Sequence, residues 1–484
     1  MFLHLDGNGP RYRQVYAALR EAILRGDVRA GARLPSTREL SESLGLSRIT
    51  VQLAFEQLIA EGYVEARVGS GTYVLGSAAL DLTRPAPGES ARALAAPHLS
   101  ALAKRLTAAT PLLSARGHGR ARPRYDFRYG LPALRDVPQA RWRRLLGRQA
   151  RRADVTAYDY GPAAGAAALR EAIAGYLRRA RGVACDAAHV VIVNGSQQGV
   201  DLCARLLLDP GDAALLEEPG YEGARSALRA AGARVVPLPV DDDGCDLARL
   251  PAAGRRARLA YVTPAHQFPT GAVLSLPRRL ALLDWARRTG AVIIEDDYDG
   301  EFHDGGRPLA PLQGLDRDGR VIYLGTFSKV MFPALRLGYL VLPPSLARLF
   351  AHAKALADGG TSGLEQQALA QFIAGGSFER HVRRARAHNR ERREALRAAI
   401  ARHLGARVRV AGSNAGLHLL LTLPRVSPEH GERIIRRAAQ RDVGVYSALP
   451  YFQRAPRQAA LVLGYTALTP AEIEAGIEIL ASCW

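Results

Sequence analysis

The sequence predicts a multidomain chain: a helical head closed by a two-stranded wing, then an α/β body with a mostly parallel buried sheet and a smaller C-terminal α/β lobe. Three observations predict it. The first 75 or so residues carry three short amphipathic segments and a hairpin pattern. Residues 76–122 turn rich in Ala, Pro, Arg, Ser and Gly. From about residue 125, apolar runs of strand length alternate with helical stretches. At 484 residues the chain is too long for one ordinary domain, and its 48% hydrophobic content supports full-sized cores rather than disorder.

In the head, residues 12–25 read as a helix with Val15, Leu19, Ile23 and Leu24 on its apolar face. Gly26 and Gly31 bracket a turn. A second helix follows, with Ser36 or Thr37 as N-cap and Glu39 in its first turn, ending near Leu44-Gly45. A third, from about Ser47 to Ala60, is expected to turn Val51, Phe55, Leu58 and Ile59 inward. A hairpin opens at Gly62-Tyr63-Val64-Glu65 and closes with Gly71-Thr72-Tyr73-Val74. This order suffices for a winged helix-turn-helix, whose second motif helix enters the DNA major groove N-terminus first. The groove-facing candidates are therefore Ser47, Arg48, Thr50 and Gln52. Arg48 can reach a guanine or a phosphate, and Thr50 and Gln52 are types that read base edges. Arg38, one helix earlier, is expected at the DNA backbone. The wing tip places Arg67 beside Gly69 and Gly71, which permit close approach to phosphate or minor groove. The partner so implied is a double-stranded DNA operator, read by a head at 8–75.

The stretch 76–122, containing the run TRPAPGES, reads as a linker with one helix around Leu99–Ala109. Beyond it, in a body at 123–484, strands are expected at 190–193, 213–216, 259–262, 291–294 and 321–324, with a helix at 276–288 and a basic helix at 379–403 leading into the C-terminal lobe. Open α/β sheets bind ligands beyond their strand ends, and these strand ends carry chemistry. Gly195-Ser196-Gln197 opens a helix, a ready anion nest. Tyr221 closes Glu218-Pro219-Gly220-Tyr221 and offers an aromatic face. Asp296 lies in the turn Glu295-Asp296-Asp297-Tyr298, where either neighbouring carboxylate is an alternative. Lys329 ends Gly325-Thr326-Phe327-Ser328-Lys329, and Arg336 follows seven residues on.

Together these groups meet the demands of pyridoxal 5'-phosphate (PLP). Lys329 supplies the amine that holds its aldehyde as a Schiff base. Asp296 pairs the pyridine nitrogen, Tyr298 bonds the phenolic oxygen, and Tyr221 stacks on the ring. Gly195, Ser196, Gln197, Thr326 and Arg336 surround the phosphate, and Ser328 belongs to the same cofactor site. Their order along the chain resembles fold-type I aminotransferases over about residues 125–484. The run LPSTRELSESLGLSRITVQLAFEQLIAEGYVEARVGSGTYV resembles the winged heads of GntR-type bacterial repressors over residues 10–75. The two together resemble a MocR-type regulator of the GntR superfamily. That resemblance implies a homodimer with PLP bound at Lys329 near the dimer interface, and a body that senses a metabolite.

Two departures shape the functional reading. Aminotransferases place Asn just before Pro-Thr-Gly; here Pro264-Ala265-His266-Gln267-Phe268-Pro269-Thr270-Gly271 leaves His266 or Gln267 to take its place. They also carry, on a C-terminal strand, an Arg that clamps the substrate α-carboxylate; here that strand reads Ala460-Leu461-Val462-Leu463-Gly464, with Val462 or an equally apolar neighbour at the position. The expectation is a regulator with little or no enzyme activity. Its effector is PLP itself, with control of vitamin B6 synthesis, or a small amine or amino acid. The alternative is an active aminotransferase with an accessory DNA-binding head.

The formal charge of +20 favours polyanionic partners. Only Lys104, Lys329 and Lys354 are lysines, however, and such arginine usage equally reflects a GC-rich genome. Cys185, Cys203, Cys245 and Cys483 lie far apart, which predicts neither a metal site nor disulfides and fits a reducing cytoplasm. The first residues lack a signal peptide's basic start and apolar run, and no segment reads as a membrane span.

Overall fold

The computed structural model describes residues 5, 7, 9–75, 99–107, 123–151, 158–303, 310–412 and 415–484. The chain divides into two compact units, residues 1–98 and 99–484.

In the first unit, α1 (Arg11–Arg25) buries Val15, Leu19 and Ile23. Helix α2 (Thr37–Leu44) starts at a capping box: Ser36 accepts from the Glu39 N–H at 3.2 Å, and the Glu39 carboxylate accepts from the Ser36 N–H at 2.8 Å. It stops where Gly45 takes a left-handed conformation. Helix α3 (Arg48–Ala60) is capped by Ser47 and buries Val51, Ala54, Phe55 and Leu58. Ile59, expected inward, is 40% exposed, because Ala54 and Leu58 already complete the inner face. Strands β1 (Val64–Arg67) and β2 (Gly71–Val74) pair antiparallel to form the wing.

The second unit is built on eight strands in the spatial order Val190–Val193, Gly338–Val341, Val321–Thr326, Val292–Asp297, Leu259–Val262, Ala213–Glu218, Arg234–Asp241 and Gly244–Cys245. All neighbours run parallel except Gly338–Val341, antiparallel to both strands it separates, and the terminal Gly244–Cys245. Parallel strands with both faces covered need continuous apolar runs, and the strands Val190–Val193 and Leu259–Val262 are buried at every position. Strand Val292–Asp297 runs three residues past its expected end, so Asp296 lies within the strand rather than in a turn. A four-stranded antiparallel sheet in the order Arg409–Ala411, His418–Thr422, Ala460–Gly464, Tyr446–Ser447 forms the smaller lobe. Its inner layer packs on helices Ser377–His403, Pro428–Gln440 and Pro470–Ala481 through Leu396, Ile434, Leu461 and Ile477.

The helix expected near Leu99–Ala109 spans Ala101–Thr107. It joins the second unit, where Arg105 Nε donates to the Ala230 carbonyl at 2.9 Å. The rest of the expected linker, 76–98 and 108–122, lies outside the described residues. Among the described residues, no helix is long and apolar enough to cross a membrane.

Candidate functional site

Side chains alternate across a strand, and that alternation sorts the three acidic residues of strand Val292–Asp297. Glu295 and Asp297 share one face. Glu295 accepts from the backbone N–H of Leu312 at 2.8 Å and of Gln313 at 2.9 Å. Asp297 pairs with buried Arg181, whose Nε lies 3.1 Å away, and accepts from the Tyr323 hydroxyl. Asp296 points the other way. Its Oδ2 accepts from the Tyr261 hydroxyl, and its Oδ1 is buried with no hydrogen-bond partner among the described residues. Burial pushes the Asp296 carboxyl up to about 7, against the lowering influence of the Tyr261 hydroxyl and the Lys329 ammonium. A buried acceptor left open is costly, and this one suits a protonated ring nitrogen.

Lys329 follows strand Val321–Thr326 and donates from Nζ to the Gly130 carbonyl at 2.7 Å. Gly130 sits at φ +74°, and a Cβ there would meet Lys329 Nζ at 2.7 Å. Thr326 and Ser328 are buried beside the lysine, and Thr326 Oγ1 accepts from the Ser328 N–H at 3.2 Å. Past the end of strand Val190–Val193, one strand beyond Gly338–Val341, Gly195 (φ +85°) caps the helix Ser196–Leu207. Arg336, itself at φ 50°, donates from Nη2 to the Asn194 carbonyl at 2.9 Å. A Cβ on Gly195 would lie 2.6 Å from that guanidinium nitrogen. The glycine is thus required twice, for its backbone conformation and for the close approach of Arg336. Free N–H groups at a helix start with an arginine across from them form an anion cradle.

The Tyr221 ring stacks near Tyr261, with centroids 6.3 Å apart and planes inclined by 28°. Gln197 donates to the Gly223 carbonyl at 2.9 Å and accepts from the Tyr221 hydroxyl at 3.3 Å. Its side chain therefore orients the tyrosine, while its backbone N–H lies in the first turn of the helix behind Gly195. Gln267 is occupied in another way. Its amide nitrogen reaches Glu217 (3.2 Å), Pro219 O (2.8 Å) and Phe268 O (2.7 Å), and its oxygen accepts from Thr270 N (3.1 Å) and Oγ1 (2.6 Å). The side chain of Gln267 thus ties two strand-end loops together. His266 Nδ1 lies 3.0 Å from the Tyr298 hydroxyl and 2.8 Å from Asp299. His418 Nε2 donates to the Pro269 carbonyl at 3.1 Å, and burial holds its imidazole down to about 3, so it is neutral. The ligand atoms of His266, Asp299 and His418 lie within 4.8 Å of one another; His266 Nδ1, Asp299 and His418 Nε2 serve these hydrogen bonds, and His266 Nε2 is buried without a hydrogen-bond partner among the described residues.

Around these groups lies an aromatic seam that single-residue motifs did not reveal. Phe268, Tyr451 and Val462 are buried together with Leu420, Ala448 and Ala460, and Tyr129, Tyr221 and Tyr298 pack against them. The seam joins strand ends of the large sheet to the face of the small one turned away from its helices. Val462 stands opposite Leu420 and Tyr446 in that small sheet. Other basic residues near the sequence motifs point elsewhere: Arg225 donates to the Pro450 carbonyl, and Arg143 and Arg144 are exposed beside buried Trp142.

In the head, the predicted DNA-contacting residues fall on three elements, α2, α3 and the wing. Arg48 is exposed at the first position of α3. The Ser47 and Thr50 side-chain oxygens lie 2.8 Å apart, and Ser47 Oγ accepts from the Thr50 N–H at 3.2 Å, so both work in the helix cap. Gln52 donates to Glu56 at 3.0 Å. Arg38 meets Glu42 at 3.1 Å, with both side chains largely exposed. On the wing, Arg67 Nε donates to Glu65 at 2.7 Å, the guanidinium lies 4.7 Å from the Tyr73 ring centroid, and Gly69 turns at φ +75°. Exposed pairs of this kind are weak and yield readily to a phosphate.

Two family descriptions match the chain: "Bacterial regulatory proteins, gntR family" over residues 11–74, and "Aminotransferase class I and II" over residues 131–478. The probable rhizopine catabolism regulatory protein MocR of Rhizobium meliloti is 40% identical across 100% of this chain and 96% of its own length. The HTH-type pyridoxine biosynthesis transcriptional regulator PdxR of Corynebacterium glutamicum is 30% identical across 93% of this chain and 91% of its own. Among solved structures, the α-aminoadipate aminotransferase LysN of Thermus thermophilus, complexed with N-(5'-phosphopyridoxyl)-L-leucine, matches with a TM-score of 0.72 and 31% identity, covering 80% of this chain and 96% of that one.

Proposed function

This chain belongs to the MocR-type transcriptional regulators of the GntR superfamily, and from that membership we propose that it senses PLP, or a small amine or amino acid, through Lys329 and reports occupancy to a double-stranded DNA operator. The observation that carries the reading is the buried, open Oδ1 of Asp296 on the strand face whose electrostatics Lys329 influences. Bound at these strand ends, PLP would supply an aldehyde that takes up a primary amine. Asp296 would keep the proton on its ring nitrogen, Arg336 and the N–H groups at Ser196 would hold its phosphate, Tyr221 would cover one face, and Lys329 would supply the amine for its aldehyde. Tyr298, steadied by His266, stands by for the phenolic oxygen.

Sensing is favoured over turnover by the seam. A transaminase must grip an α-carboxylate in a fixed pose, whereas Ala460 and Val462 offer only methyl groups there, and a carboxylate against them would be desolvated and unpaired. The same lack favours PLP, or a ligand without an α-carboxylate, as the signal. The relative named for pyridoxine biosynthesis supports PLP, and with it control of vitamin B6 synthesis. The assembly we infer is a cytoplasmic homodimer of a head at 8–75 and a body at 123–484 joined by a linker at 76–122. A footprint upstream of the gene, taken with and without PLP and with a panel of amines and amino acids, tests the reading. Protection that changes with PLP supports it. Conversion of bound PLP to its aminated form by ordinary amino acids favours the aminotransferase alternative, and protection that ignores every added compound refutes the sensor.

A further inference from the structure

Helix α3 carries more apolar surface than the head's core uses. Its buried side is Val51, Ala54, Phe55 and Leu58. Ile49 is nevertheless 70% exposed and Leu53 44% exposed, and neither packs on the head's core cluster. At 3.6 residues per turn these two lie within about 40° of each other, directly opposite Leu58. Ile49 occupies the second position of the helix, next to Arg48, in the turn that a helix-turn-helix inserts deepest.

The polar residues of that turn are already engaged. Ser47 and Thr50 bond each other in the cap, and Gln52 is held by Glu56. What the outward face presents first is therefore a branched aliphatic side chain beside exposed Arg48, with Arg38 and Arg67 exposed on the neighbouring elements. An apolar spot with a basic margin complements a phosphate-lined groove better than it complements another protein core. In the major groove the apolar group on offer is the 5-methyl of thymine.

We propose that Ile49, backed by Leu53 one turn later, reads thymine methyl groups in the major groove and so sets part of the operator sequence. This rests on the DNA-binding reading of the head. To test it, full-length protein selects duplexes from a random-sequence pool at moderate salt. The preferred duplex is then remade with deoxyuridine in place of thymine, one position at a time. Loss of one buried methyl is expected to weaken binding of the parent roughly fourfold at one or more positions. I49A should bind thymine and uracil forms alike, at the parent's uracil-form affinity, while I49V keeps the discrimination. Ile49 lies outside the core, so I49A should melt with the parent. Equal binding of both forms by the parent at every position overturns methyl reading and leaves DNA recognition standing. Discrimination retained by both I49A and L53A also overturns it. So does a changed oligomeric state in I49A with thymine preference intact, which would make the spot a protein contact. A pool that yields no preferred sequence overturns the DNA-reading assignment together with the proposal.

Discussion

The head and the body use opposite strategies to present functional groups. In the head the candidate residues stand in water: Arg38 and Arg67 side chains are 80% and 60% exposed, each resting against a nearby carboxylate. In the body they are withdrawn from it: Asp296, Thr326 and Ser328 are all buried. The head waits for a large, rigid partner that brings its own charge, and pairings that exchange cheaply suit that task. The body is built for a small ligand, and there an open buried atom defines one position. Net charge does not draw this distinction. Residues 1–75 contain nine arginines against eight Asp and Glu, so the chain's +20 belongs almost wholly to the rest of the sequence. Placement of a few arginines, rather than an excess of them, makes the head a DNA reader.

The sharpest break between the regions is K329A. It should abolish the covalent PLP adduct, read as loss of the near-ultraviolet or visible band that borohydride reduces, while DNA binding by the cofactor-free protein keeps its parental salt dependence. A persisting adduct would mean another lysine is responsible.

Asp296 carries the next largest effect. Removing one partner of a buried ion pair costs about 3–5 kcal/mol, so D296A should weaken PLP binding by more than a hundredfold in an equilibrium titration. The pH dependence has a definite sign. The folded carboxyl titrates at about 7, above its ordinary 3.8, so its contribution to stability is full below the unfolded value and is lost as pH rises through about 7. Without cofactor, D296N should therefore melt above the parent at pH 8, lose most of that advantage by pH 5 and the rest as pH falls to 3.8. A site that is better folded without its carboxylate, yet binds PLP worse, is the trade expected of a functional group. Equal melting at both pH values would count against the burial argument.

For the head the effects are smaller and depend on salt. R48A should lose roughly 1–3 kcal/mol of operator affinity if it reaches a base. R67A should weaken all sequences alike and reduce the salt slope by about one unit. Gel shifts across a salt series separate the two, and parental behaviour in both variants would remove them from the interface. Smallest is S36A, which breaks the capping box and should destabilise the head by about 1 kcal/mol in chemical denaturation while the body's transition stays unchanged.

Much of this was legible in the sequence because local signals agree with the fold. Ser36 with Glu39, the Gly45 stop and the apolar strands are short-range features that the structure repeats almost residue for residue. What the sequence hid depends on neighbours distant along the chain. Nothing in the sequence around Gln267 shows that its side chain meets Glu217, Pro219 and Thr270. Ile59 reads as core until Ala54 takes its place. The strand Arg234–Asp241 carries two prolines, which argue against a strand until it is seen to run beside Ala213–Glu218 near the sheet edge. The choice among Glu295, Asp296 and Asp297 depends on the strand's length; because it runs to Asp297, alternation puts Asp296 on the face opposite the other two, which supports Asp296.

The aromatic seam also has an optical consequence. Trp142 packs against Phe332 and Phe372, Trp285 lies among Leu282, Ala286 and Ile293, and Trp484 faces Arg407. The seam itself is furnished with Tyr129, Tyr221, Tyr298 and Tyr451. Rearrangement of its rings should therefore appear in the tyrosine region of the near-ultraviolet circular dichroism while tryptophan emission stays nearly silent.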